Sequence, residues 1–194
     1  MIVPRRSLGP AHFRHLYDAN ADPWRFRTSA YEQAKYRRTL AALGDRDFGA
    51  AFEVGCSIGV MTQLLALRCS AILAVDIVEQ PLAEARIACA DQPWVRFELM
   101  RVPVEWPDGI FDLIVLSEVL YFMSPADIVS VADRCAGSLA PNGIVLLANW
   151  QGRSEDPCTG EEAASVFIER ARGWLEPRTH VREPGYRLDL LRRR

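Results

Sequence analysis

Apolar and polar positions along the chain alternate between two periods, and the switches between them mark the elements. Residues 50–54, 71–76 and 111–117 are short, nearly continuous apolar runs, the pattern of strands buried on both faces of a parallel sheet. Residues 95–99 and 144–148 complete a set of five. Between them lie helical patterns over residues 59–67, from Pro81 onward, and from the Ser124-Pro125 start to about Leu139. The Pro107-Asp-Gly109 and Pro141-Asn-Gly143 clusters predict turns. Thr159 and Glu162 have the spacing of a capping box, opening a helix to about Arg172. Two runs, 175–181 and 186–191, flank a Glu-Pro-Gly turn, and so short a joint forces antiparallel pairing. Ahead of the first strand, residues 12–19 read as a short helix that Pro23 prevents from continuing, and Ser29 with Glu32 opens a second helix that Gly44 closes.

The alternation predicts a doubly wound α/β fold, a mostly parallel seven-stranded sheet with an antiparallel last strand. At 194 residues the chain reads as one domain, with residues 1–44 a helical lid and residues 45–194 the sheet core.

The most informative local pattern is Glu53-x-Gly55-Cys56-Ser57-x-Gly59 after the first strand, followed by Asp76 at the end of the second. Asp76 stands 21 residues beyond Gly55, where a carboxylate in this type of unit accepts the hydroxyls of a ribose, so the pattern points to an adenosine-type ligand. The dinucleotide fingerprint G-x-G-x-x-G is not met, because the two glycines are one residue too far apart and an acid ends the strand. A pyrophosphate needs closely spaced N–H donors at a helix N-terminus; Glu53 instead favours a ligand bearing a cation. Cys56 reads as a small filler of the loop.

This loop resembles motif I of the class I S-adenosylmethionine-dependent methyltransferases, and Asp76 resembles the ribose acid of their motif II. The resemblance implies a Rossmann-like methyltransferase fold and S-adenosyl-L-methionine as cofactor. By the open-sheet rule the ligand lies at the carboxyl ends of the strands, which adds Ile77, Arg101, Val102 and Ser117 to the loop residues Glu53, Gly55, Cys56, Ser57, Gly59 and Asp76. Glu118 and Tyr121 then fall on the acceptor side as catalytic candidates, Glu118 to orient an amine or take its proton and Tyr121 to wall off water. Trp24 and Lys35 are candidates for a cover over the cofactor, Lys35 as a partner for its carboxylate.

Asp22-Pro-Trp24, Tyr31-Glu32 with Lys35, the glycine loop, and Phe111-Asp-Leu-Ile-Val-x-x-Glu118-Val-Leu-Tyr121 together resemble the nodulation protein S family of methyltransferases, over about residues 22–147. That likeness implies N-methylation of an amino sugar of the deacetylated chitooligosaccharide kind, or of a similar polar amine. Past the fifth strand it carries little residue by residue, so Asn149, Trp150, Gln151 and the loop over residues 153–159 do not fix the acceptor. An O-methyltransferase of another small molecule, a nicotinamide-dependent oxidoreductase and a non-catalytic adenosine-ligand-binding protein are the competing expectations. The missing third glycine and the absence of a Tyr-x-x-x-Lys pair on a late helix weigh against the oxidoreductase.

Charge and composition narrow the partners. The net charge is −2, and all but one of the 23 basic residues are arginines, Lys35 being the lone lysine. Without a basic excess nucleic acid is not expected as a partner. No apolar run approaches the ~18 residues of a membrane span, no secretory signal opens the chain, and the five cysteines have no C-x-x-C spacing. The expectation is a cytoplasmic protein with reduced thiols, no metal site, and a small-molecule or oligosaccharide substrate.

Overall fold

The computed structural model describes residues 5–152 and 155–194, and these divide into two compact units, Gly9–Arg101 and Val102–Arg194, the latter with residues 5–8. The first unit contains α1 (Pro10–Ala19), α2 (Ala30–Ala42), β1 (Ala51–Val54), α3 (Val60–Ala66), β2 (Ile72–Asp76), α4 (Glu79–Ala88) and β3 (Val95–Leu99). The second contains β4 (Phe111–Ser117), a 3-10 turn at Leu120–Phe122, α5 (Pro125–Ser138), β5 (Leu139–Trp150), α6 (Gly160–Ala171), β6 (Leu175–Glu183) and β7 (Tyr186–Arg193).

Seven strands form one mixed sheet. In the first unit β2 pairs in parallel with both β1 and β3. In the second, β4 and β5 are parallel, while β7 runs antiparallel to both β5 and β6, which makes it the single reversed strand. The expected doubly wound architecture and its reversed end are both present. Burial explains the apolar runs: every residue of β1 and β2 is buried, and Leu113 to Leu116 and Val145 to Ala148 have no exposed surface.

Local signals act mostly as read. Ser124 caps α5 by accepting the N–H of Asp127, and Thr159 with Glu162 forms a complete capping box. At α2 only half of the expected box forms: Ser29 Oγ accepts the Glu32 N–H, while the Glu32 carboxylate pairs with Lys35. α4 begins two residues before Pro81, which a first turn tolerates because its N–H groups need no intrahelical acceptor. The expected turn at 141–143 lies inside β5, where Asn142 takes a left-handed φ of 58° and the register against β4 shifts, so the chain bulges and continues as strand.

The five cysteines are free and buried. Among the described residues no helix is long and apolar enough to cross a membrane, and no group of side chains is arranged to hold a metal ion.

Candidate functional site

In the first unit, the loop from β1 to α3 wraps two buried acids. Gly55 and Cys56 both donate their N–H groups to Val75 O, at 2.7 and 3.0 Å, tying the loop to β2. The chain then turns through left-handed φ at Ser57 and Gly59. Gly59 is required twice over: its φ is 79°, and a Cβ there would lie 3.0 Å from both Cα and Cβ of Ala85 on α4. The sequence signals only the first of these reasons.

Glu53 is 2% exposed, and Thr62 on α3 donates its hydroxyl to Glu53 Oε2 at 2.7 Å. Burial raises its pKa to about 7, partly offset by the Thr62 bond and reinforced by the nearby Asp76 charge. Asp76 receives the Ser57 N–H on Oδ2 and the Val78 N–H on Oδ1, each at 3.0 Å. Its pKa is still raised to about 6, because desolvation outweighs the backbone donors at Val78, Ser57 and Ile77. Cys56 is buried and its thiol is pushed up, first by burial and then by the two acids, so it remains protonated. Two desolvated carboxylates beside one loop repel a polyphosphate and favour a ligand offering hydroxyl donors and a cation.

α1 closes against this loop. Tyr17 OH and Ser57 Oγ are 2.6 Å apart, both buried, and Gln80 donates to Tyr17 O at 3.1 Å. Tyr17, Ile58 and Val78 form an apolar cluster onto which Phe13, Trp24, Phe26, Val60 and Ile77 pack. Trp24 stacks on Phe26 and meets Tyr17 edge-on. The Asp22 carboxylate holds this turn by accepting the N–H groups of Phe26 and Arg27. Lys35 has a partner in its own helix, Glu32 Oε2 at 2.8 Å, and is 2% exposed with its ammonium over the Tyr31 ring. After β3, Met100 N–H binds Asp76 O, and Arg101 is exposed.

In the second unit the end of β4 holds Ser117, half-buried, and Glu118, whose φ is 59° and whose N–H donates to Ala148 O at 2.7 Å. Tyr121 donates its hydroxyl to Glu118 Oε2 at 2.7 Å, and Trp150 N–H donates to the same oxygen at 3.1 Å. The two catalytic candidates are therefore in direct contact, with a non-helical backbone aiming the acid. Val102 is half-buried at the start of this unit. In the loop after β5, Arg153 and Ser154 lie outside the described residues.

Sequence reasoning missed Tyr17 and Thr62, and it named Asn149 without giving it a role. Tyr17 follows Phe13 at helical spacing, and Thr62 lies nine residues beyond Glu53, but their partners depend on tertiary contact. Asn149 is the one polar residue after four fully buried apolar ones in β5, a signal present in the pattern.

The family model of nodulation protein S matches residues 13–147. Nodulation protein S of Bradyrhizobium diazoefficiens is 33% identical over 133 residues, covering 66% of this chain and 62% of that protein. Its counterpart in Sinorhizobium fredii is 31% identical over 140 residues, covering 71% and 65%. The chain thus spans less than two thirds of the length of these relatives. The fold is similar to the crystal structure of N-methyltransferase NodS from Bradyrhizobium japonicum in complex with S-adenosyl-L-homocysteine, with a TM-score of 0.81 and 19% identity, covering 96% of this chain and 99% of that one. Glycine loop, paired acids, reversed final strand and matched sequence agree: the chain belongs to the nodulation protein S family.

Proposed function

We propose that this protein is an S-adenosyl-L-methionine-dependent methyltransferase that N-methylates an amino sugar of the chitooligosaccharide kind or a similar polar amine. The observation that carries the cofactor is the pair of buried acids, Glu53 and Asp76, around a glycine loop, in a chain of this family. Asp76 is set to accept ribose hydroxyls, since each of its oxygens keeps acceptor capacity beyond one backbone N–H. Glu53 supplies negative charge for the aminoacyl end, and Gly55, Cys56, Ser57 and Gly59 let the backbone approach. Ile77 packs in the aromatic cluster beside Asp76, with Trp24 and α1 as cover. Lys35 and Arg101 complete the set proposed for this unit, Lys35 acting from its ion pair with Glu32.

The bound cofactor supplies an electrophilic methyl group on a sulfonium. Acceptor alignment and exclusion of water are left to the chain. Glu118 is fixed by Tyr121 and Trp150 N–H in one orientation, which suits it to hold the acceptor amine with its lone pair directed for transfer. Tyr121, 7% exposed, and Phe122, with ring centroids 4.4 Å apart, provide an apolar wall next to it. The resemblance to N-methyltransferase NodS favours nitrogen as the acceptor over oxygen. The test is incubation with S-adenosyl-L-methionine and a panel of glucosamine oligomers, simple amines and phenols, read by mass spectrometry. Methyl gain on the amino sugars supports the reading, and methyl gain confined to hydroxyl acceptors refutes it.

A further inference from the structure

At the carboxyl end of β5, Asn149 has no exposed surface, and neither its Oδ1 nor its Nδ2 has a hydrogen-bond partner among the described residues. Such an arrangement is costly, since a buried amide that gives up water without a replacement loses its hydration. The four preceding residues, Val145, Leu146, Leu147 and Ala148, show that apolar side chains fill this strand without difficulty. A second orphan atom belongs to the residue after Gly160. Glu161, at the start of α6, takes Arg182 and Arg187 on Oε1 at 2.8 and 2.7 Å, while its Oε2 is covered and has no partner.

These groups share one neighbourhood. Asn149 is the cross-strand partner of Arg187, and Arg187 is the residue that grips Glu161. A Cβ on Gly160 would come within 3.0 Å of the Asn149 Cβ and 1.9 Å of Trp150 O, so only glycine lets α6 begin this close. The arginines are already committed: Arg187 Nε and Nη2 bind Asp189, and Arg182 Nε contacts His180. Asn149 Oδ1, Asn149 Nδ2 and Glu161 Oε2 thus leave two acceptors and one amide donor unpartnered on residues joined through Arg187 and Gly160. That set matches a hydroxyl or amine group, which both donates and accepts, and disfavours an anion. Gln151, next but one in the chain, is half-buried, and its amide makes only a 3.5 Å contact with Asn149 O.

We propose that Asn149 and Glu161 form a polar subsite that binds a hydroxyl or amine of the acceptor, filled by water in the free enzyme. The inference rests on the amino-sugar reading above. It places substrate recognition on β5 and the N-terminus of α6, next to the strand end where Trp150 N–H holds Glu118.

The experiment is calorimetric titration of fully deacetylated chitotetraose into the protein saturated with S-adenosyl-L-homocysteine, for the wild type, Asn149→Leu and Glu161→Gln. The expected result is acceptor binding weakened roughly tenfold or more in each variant, with cofactor affinity unchanged. Retained S-adenosyl-L-homocysteine binding shows that a variant is folded, and Glu161→Gln, on a partly exposed side chain, covers the case in which Asn149→Leu is not. If the wild type binds chitotetraose and both variants bind it equally well, the subsite is overturned while the amino-sugar reading stands, the orphan atoms then being served by water alone. If the wild type binds no chitotetraose, the amino-sugar reading itself falls and the subsite's ligand with it.

Discussion

Replacing Glu53 by glutamine should stabilise the cofactor-free protein at alkaline pH while weakening cofactor binding. In the folded chain Glu53 ionises near pH 7, against an ordinary value of 4.5. A carboxyl whose folded pKa is raised is favoured in its protonated form, so the folded state holds the proton that the unfolded state has released, and stability falls as pH rises through this window. At about 1.4 kcal/mol per pH unit, the full cost of ionising Glu53 inside the fold is about 3 kcal/mol, reached by pH 8, and is just under about 1 kcal/mol at pH 5. Glutamine never incurs it and keeps an amide oxygen for the Thr62 hydroxyl. Asp76 is present in both proteins, so its own titration largely cancels in the comparison. Urea unfolding at pH 5, 6, 7 and 8 measures the difference. A gap of just under about 1 kcal/mol is expected at pH 5, widening to about 3 kcal/mol in favour of Glu53→Gln at pH 8, a midpoint shift of roughly 1 M or more. A gap independent of pH, or a variant less stable at pH 8, would refute the reasoning that this acid is buried at a cost in order to meet a ligand.

Wild-type affinity for S-adenosyl-L-homocysteine should fall as pH drops from 8 to 5, because Glu53 and then Asp76 take up protons at about 7 and about 6; titrations at each pH check this, and flat affinity contradicts it. Tyr17→Phe removes the hydroxyl bonded to Ser57, so thermal unfolding should show a loss of about 1 kcal/mol and cofactor binding should weaken a few-fold. Gly59→Ala should cost about 1–3 kcal/mol through its left-handed φ and the contact with Ala85, readable as a lowered melting temperature. Lys35→Met leaves Glu32 buried beside a missing charge and should cost about 3 kcal/mol or more, much of it recovered when Glu32→Leu is added; a double variant no more stable than the single one would contradict the pairing.

The sheet was legible because its strands are apolar without interruption, and the helices because Ser124 and Thr159 cap them by local chemistry. The glycine loop and Asp76 were legible because a nucleotide-type turn imposes their spacing. What the sequence conceals depends on contacts between distant segments. Gly59 looks like a turn glycine, and only the packing of α4 reveals that Ala85 also requires it. Lys35 looks like a solvent-facing charge, and only tertiary burial reveals its pairing with Glu32. Pro141, Asn142 and Gly143 form a turn in most contexts, but here β4 pairs with Leu139 before them and Ile144 after them, which absorbs them as a bulge. Glu118 and Tyr121 were singled out separately. Their direct bond arises from the positive φ of a non-glycine residue, for which propensity gives no warning.

The central claim is that the loop over Glu53 to Gly59 and the acid Asp76 receive a phosphate-free adenosine ligand carrying a cation. Calorimetric titration at pH 8 with S-adenosyl-L-homocysteine and, separately, with NAD tests it most directly. Saturable one-to-one binding of S-adenosyl-L-homocysteine, lost in Asp76→Ala and not seen with NAD, is the predicted result; binding of NAD with no heat from S-adenosyl-L-homocysteine would contradict it.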